Sequence, residues 1–167
     1  MHLVLARFVK SHPKVARDRK DQWIEQIAEC FSLLHRHHIS HCDSKLENFL
    51  VDKKYDIRIC DFASSHNYRA PSQDPAIQPP RYRSVIDDFD EATFNPADDI
   101  FAFGSICYEI ITGSPIYPDL DDESLCHHFA QHTFPASKDL RFGAIIRGCW
   151  MGTFSSFDKI LSAIRMN

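Results

Sequence analysis

Between His41 and Asp61, the 167-residue sequence gathers the side chains best suited to chemistry. Asp43, Lys45 and Asn48 stand at the spacing D-x-K-x-x-N, His41 lies two residues before the first of them, and a second aspartate opens the run Asp61-Phe62-Ala63. A carboxylate can accept a proton, an ammonium two residues on can neutralise developing negative charge, and an amide and a second carboxylate are hard oxygen donors for a metal cation. Each is commonplace alone, and a single loop aspartate is most simply a solvated surface group. Here all of these types fall in one short window.

Such groups need elements to hold them. Upstream, Trp23, Ile24, Ile27, Phe31 and Leu34 recur at intervals of three and four, which predicts an amphipathic helix from about Arg17 to His37. Met1 to Val9 alternates loosely as HLVLARFV, a strand-like start, and the polar KSHPKVARDRK after it reads as a loop. Asn48 to Val51 and Ile57 to Cys60 are short β-rich runs around a polar DKKYD, which predicts a hairpin.

Residues 64 to 96 keep no apolar period and are punctuated by Ser64, Ser65, Asn67, Pro71, Ser72, Pro75, Pro79, Pro80 and Pro96. A loop of that length inside a domain is functional or disordered more often than not. A helix is then expected from Pro96 or Ala97, with Asp98 and Asp99 in its first turn and Gly113 as a left-handed stop. Its run IFAFGSICYEII is apolar nearly all the way round, so it should be central and buried. Three further helices are expected near Asp121 to Gln131, Lys138 to Cys149 and Ser155 to Met166. Trp23, Phe31, Phe101, Phe103 and Trp150 are assigned to the core.

Composition narrows the function classes. With 44% apolar and 25% charged residues the chain has ordinary globular usage. No apolar run reaches the roughly 18 residues of a membrane span, and the first ten residues lack the pattern of a secretory signal, so an intracellular chain, cytoplasmic or nuclear, is expected. The net charge of −4 divides into +3 over residues 1–58 and −7 over 59–167, with no basic patch of the kind that binds nucleic acid. Six cysteines are scattered singly with no CxxC pair, which favours reduced thiols. His35, His37, His38, His41 and Cys42 fit no usual zinc spacing.

Taken in order, these motifs carry a resemblance. His41, Asp43, Lys45 and Asn48 have the H-x-D-x-K-x-x-N spacing of the protein-kinase catalytic loop, and Asp61-Phe62-Ala63 stands where that family has D-F-G. Asp99-Ile100-Phe101-Ala102-Phe103-Gly104 resembles D-x-W-x-x-G at the start of the family's central helix, and Gly148-Cys149-Trp150 resembles its late R-C-W element. The chain resembles the large, C-terminal lobe of a protein kinase, a mainly α fold with a small β-hairpin and no N-terminal lobe. Residues 1–9 look like the last strand and hinge of the small lobe, 17–167 like the large lobe, and 61–96 like the activation segment. The run DIFAFGSICYEIITGSPIY is reminiscent of kinase-like proteins of fungi.

The resemblance implies ATP-dependent phosphoryl transfer to a protein hydroxyl, Ser/Thr in preference to Tyr because of the place of Lys45. In that scheme Asp43 orients the hydroxyl proton and Lys45 stabilises charge on the γ-phosphoryl group. Asn48 and Asp61 ligate Mg²⁺, Lys45, Asn48, Leu50 and Asp61 make up the nucleotide site, and Asp99 anchors the catalytic-loop backbone. His41 and Phe62 are packing partners. A protein substrate or protein partner is implied, with no nucleic acid and no membrane, and the oligomeric state stays open.

The sequence also departs from the pattern. Cys42 replaces the Arg that commonly precedes the catalytic Asp, and Ala63 replaces the Gly of D-F-G. If Tyr82 aligns with the tyrosine before A-P-E, then Ser84-Val85-Ile86 stands there without a Glu, and Phe157 stands where the Arg partner of that Glu is expected. Neither a G-x-G-x-x-G loop nor a V-A-I-K lysine occurs in the sequence. These 167 residues alone are therefore expected to bind ATP weakly and to transfer phosphate slowly or not at all. A second reading is a non-catalytic kinase-like module that binds a protein through the Asp121 to Gln131 region and the long loop. A third, a small-molecule kinase of the aminoglycoside or choline type, is opposed by the DIFAFG helix and the Cys-Trp element. Ser64, Ser65, Ser72 and Ser84 are candidate phosphorylation sites, although an ordinary polar loop accounts for them more simply.

Overall fold

The computed structural model describes residues 2–70, 78–84 and 96–167. Its first element departs from the expected strand over 1–9. Only Leu3–Val4 is extended (β1), and the chain turns at once into helix α1, Leu5–Ser11. Leu5 and Val9 are both buried. Four residues apart, they share a helix face, so the period that decides this segment is 3.6 and not 2.

Helix α2, Arg17–Arg36, matches the expectation to within a residue and buries Trp23, Ile24, Ile27, Ala28 and Phe31. It ends just before a two-residue strand β2, Ile39–Ser40. The hairpin forms from β3, Phe49–Val51, and β4, Ile57–Ile59, in register Phe49↔Ile59 and Val51↔Ile57. β1 adds to the other edge of β3, Leu3↔Val51 and Val4↔Leu50, giving the order β1-β3-β4. The long loop is not wholly irregular: His66–Asn67 (β5) pairs with β2, and Pro80–Tyr82 forms one 3₁₀ turn. Ser72, Val85 and Ile86 lie outside the described residues.

At the centre runs α3, Pro96–Thr112, buried on nearly every side from Asp99 to Cys107 and closed by Gly113 at φ 79°. Helix α4, Asp122–Ala130, is capped by the Asp121 side chain, which accepts from the Ser124 N–H at 2.8 Å. Helix α5, Gly143–Trp150, starts five residues later than expected. The backbone of Ser137 passes so close to Gly143 that a Cβ there would lie 1.8 Å from the Ser137 carbonyl oxygen. Helix α6, Phe157–Met166, packs on α2, and Phe157 stacks on Phe31 with centroids 4.8 Å apart. The position where the resemblance sets an Arg is thus filled by core aromatic. Among the described residues no helix is long and apolar enough to cross a membrane.

Two close contacts fix α3. Gly104 faces α5, where the Trp150 indole N–H donates to Ser105 Oγ at 3.3 Å. At the other end Asp99, with no exposed surface, accepts five hydrogen bonds. Its Oδ2 takes those of His35 Nε2 (3.0 Å), Ser40 Oγ (2.6 Å) and the His41 N–H (2.9 Å). Its Oδ1 takes those of Ser44 Oγ (2.8 Å) and Gln78 Nε2 (3.2 Å). Burial alone pushes the Asp99 carboxyl up, but the bonds from His35, Ser40 and His41 more than offset it and hold it below its ordinary value.

Replacing Gly104 by Ala sets a Cβ 2.8 Å from Cys149 Cβ and 3.1 Å from the Trp150 ring. Urea unfolding should show a loss of about 1–3 kcal/mol, and an unchanged midpoint would mean that the α3–α5 contact is looser than described. For Asp99→Asn we expect a loss of about 3 kcal/mol at neutral pH. Because the folded carboxyl titrates below the ordinary 3.8, its contribution is complete above that range and is lost as pH falls through the lower folded value. Below about pH 4 the unsubstituted chain should therefore lose stability more steeply than Asp99→Asn; parallel curves would count against the hydrogen-bonded carboxylate.

Candidate active site

The loop between β2 and β3 brings Asp43, Lys45 and Asn48 together. Lys45 Nζ donates to both oxygens of Asp43, at 2.9 and 2.8 Å. Asn48 Nδ2 donates to the Asp43 carbonyl (2.7 Å) and to its Oδ2 (2.8 Å). The Asp43 and Lys45 side chains are 19% and 31% exposed, so the pair lies at the surface of a recess rather than in the core. Both N–H bonds of the buried Asn48 amide are spent on Asp43, which leaves its Oδ1 for another partner.

The hairpin carries the second carboxylate to the same end. The Cys60 N–H donates to the Asn48 carbonyl at 2.9 Å, and Asp61 follows directly, exposed and at φ 63°. Leu50 sits half-buried in the middle strand, across from Val4 and Arg58. His41 is fully buried with Nε2 3.0 Å from the Cys60 carbonyl; a carbonyl only accepts, so Nε2 carries the proton. Its ring centroid lies 5.3 Å from that of Phe62, so the two do pack together. Phe62 is nevertheless 48% exposed, and its outer half meets no core.

Cys42 is buried in the left-handed region at φ 61°, its thiol 3.6 Å from the Ser40 carbonyl. Burial pushes that thiol up to about 11, so it carries no charge beside Asp43. Among the described histidines of the first helix end, His35 is taken up by Asp99 and the His38 carbonyl accepts from the Tyr68 N–H at 3.0 Å.

Several residues at the site were not singled out from sequence. Ser40, Ser44 and Gln78 join Asp99 in one buried network, and the Ser44 N–H donates to Gln78 Oε1 at 2.7 Å. A cleft of about 510 Å³ opens beside Lys45, walled by Pro79 to Tyr82 and floored by Glu47 and Glu109. The Tyr82 hydroxyl donates to Glu109 Oε2 at 2.9 Å. Burial raises both the Glu109 carboxyl and the Tyr82 phenol. Arg81 donates to the carbonyls of Ile116, Tyr117 and Leu120, fastening the wall to the connection after α3. Only Glu47, between Lys45 and Asn48, had a signal in the local spacing. Glu109 reaches the cleft by helix register and Gln78 through a loop with no period.

Comparison with known proteins gives the family. A sequence model of the protein kinase domain matches residues 1–145. The chain is 28% identical over 119 residues to "Protein kinase kin1" of Schizosaccharomyces pombe, covering 71% of this chain and 13% of that protein. It is 28% identical over 109 residues to "Cyclin-dependent kinase-like 2" of Rattus norvegicus (64% and 22%). It is 26% identical over 121 residues to "Mitogen-activated protein kinase kinase kinase dlk-1" of Caenorhabditis elegans (70% and 13%). The chain thus spans 13–22% of the length of these curated relatives, one of them fungal. The mainly helical fold with its small hairpin sheet is that of a kinase large lobe, and with the domain matched over residues 1–145 the chain belongs to the protein kinase family.

Proposed function

We propose that these residues form the large-lobe half of an ATP-dependent kinase acting on a serine or threonine hydroxyl of a protein, with residues 61–96 as its activation segment. The observation that carries this is the convergence of Lys45 and Asn48 on the two oxygens and the carbonyl of Asp43. A carboxylate fixed from three sides keeps one orientation while an acceptor hydroxyl enters the cleft beside it. Asp43 takes up or orients the hydroxyl proton, and the Lys45 ammonium stands two residues away to meet charge on the transferred group.

The donor set fits Mg²⁺. Asn48 keeps Oδ1 free, Asp61 is exposed, and both are hard oxygen ligands at one end of the hairpin. The described residues assemble no group of three or more His, Cys, Asp or Glu, so an ion held by Asn48 and Asp61 completes its shell with water and phosphate oxygen, as Mg²⁺ commonly does. Such an ion supplies neutralisation of phosphate charge. Leu50 would lie under the nucleotide base. Among the described residues the nucleotide would have a floor and no cover, and on that ground low affinity and rate are expected of these 167 residues. Cys42 and the half-exposed Phe62 favour the competing reading of a non-catalytic, protein-binding module.

Thermal unfolding with Mg²⁺ and ATP separates the readings. At about five times Kd, binding adds about 1 kcal/mol, a rise of about 2–4 °C for a chain of this length. The rise should vanish in Asp61→Asn. No rise at millimolar nucleotide would favour the non-catalytic module. Where transfer is measurable, Asp43→Asn should lower it by at least about 100-fold on a serine peptide, with a tyrosine peptide the poorer acceptor; equal rates on the two peptides would overturn the hydroxyl preference.

A further inference from the structure

The buried amide of Gln78 joins the wall of the cleft to the loop carrying Asp43 and to Asp99 at once. We propose that Gln78 is a positioning residue: it fixes the backbone at Asp43–Ser44 by a two-sided amide bridge between the Ser44 N–H and the Asp99 carboxylate. The assignment of the amide is forced by its partners. The Ser44 N–H can only donate, so it faces Oε1 at 2.7 Å; the Asp99 carboxylate can only accept, so Nε2 faces it at 3.2 Å. Ser44 is then held twice, its N–H by Gln78 and its hydroxyl by Asp99 Oδ1 at 2.8 Å. Ser44 is fully buried and Gln78 is 4% exposed, so water does not replace either bond.

Position explains the use. Ser44 lies between Asp43 and Lys45, whose side chains face each other across 2.8–2.9 Å. A shift of its backbone moves both. Gln78 directly precedes Pro79, Pro80, Arg81 and Tyr82, the cleft wall, so the same bridge sets the distance between that wall and Asp43. A leucine of similar volume would strand the Ser44 N–H, and an ionised carboxylate would face Asp99 with like charge. A neutral amide satisfies both partners.

The proposal's catalytic consequence rests on the phosphoryl transfer proposed above, but its anchor does not. Amide hydrogen exchange read by NMR on the labelled 167-residue chain tests the anchor directly. In Gln78→Leu the Ser44 amide should exchange at least about tenfold faster, while amides of Phe31 and Ile106 keep their rates. Unchanged Ser44 protection in a folded Gln78→Leu chain overturns the proposal. Gln78→Glu decides the matter if that variant does not fold. A protonated carboxyl can still accept from Ser44 and donate to Asp99, whereas the ionised one accepts from Ser44 but has no proton for Asp99 and repels it. The charged and titratable groups around it are Asp99, His35 on the far oxygen of Asp99, and the Asp43–Lys45 pair. Ser44 protection corrected for intrinsic exchange should thus be lower at pH 8 in Gln78→Glu than in the unsubstituted chain at the same pH, and equal protection in the two chains refutes the bridge. Where transfer is measurable, Gln78→Leu should lower kcat with the KM for ATP unchanged, and an unchanged kcat beside faster exchange refutes the positioning role. An unsubstituted chain without transfer sinks the proposed function alone, and exchange still settles the anchor.

Discussion

A carboxylate with no contact with water must be surrounded by donors, and Asp99 shows how much of a chain that requirement can organise. Its five bonds come from His35 at the end of α2, from Ser40 in β2, from His41 and Ser44 in the loop after it, and from Gln78 just before the cleft wall. Outside α2 these segments have little regular structure of their own: β2 has two residues and its partner β5 two more. Removing the carboxylate leaves five donors without an acceptor, whereas each donor alone contributes modestly. The shape of the Asp43 loop is therefore a property of α3, and α3 is held in turn by the Gly104 contact with α5 and the aromatic layer of Phe31, Phe103 and Phe157.

The hairpin works by a different rule. Three residues per strand give a sheet that is marginal in water, and it stands because other elements cover it. Trp23 of α2 donates to the Tyr55 carbonyl in the turn, Gln26 bonds both Asp56 and the Ile57 N–H, and β1 supplies the third strand. Its ends are then close enough for the Cys60 N–H to reach the Asn48 carbonyl, and that bond sets Asp61 beside Asn48.

How far the sequence shows this depends on the range of the interactions. The long helices were legible because Trp23, Ile24, Ile27 and Phe31, or the run from Ile100 to Ile110, repeat a period over many residues. The hairpin was legible from two β-rich runs around a polar turn. Residues 1–9 were misread because LVLARFV fits both periods in so short a window, and tertiary burial of Leu5 and Val9 decides for the helix. The start of α5 was set too early because the approach of Ser137 to Gly143 is a tertiary contact. At the site, Asp43, Lys45, Asn48 and Asp61 are legible from fixed spacing. Ser44 and Gln78 are not, since the bond between them spans 34 residues and has no local signature.

The places where this chain leaves the family pattern share one physical direction. An arginine beside a catalytic aspartate needs an anion to answer it, and Cys42 is an uncharged buried thiol that needs none. A buried ion pair that loses one half strands the other at a cost of about 3–5 kcal/mol. With Ile86 standing where the family pattern sets a Glu, and Phe157, packed on Phe31, where it sets the Arg partner, the sequence carries neither half at those positions. Contacts that need no anionic partner hold the wall: the Gln78 amide on Ser44, and the Arg81 guanidinium on three backbone carbonyls rather than on a carboxylate. Such contacts form without an added phosphate. In this chain the segment from Gln78 to Tyr82 is held by its own sequence.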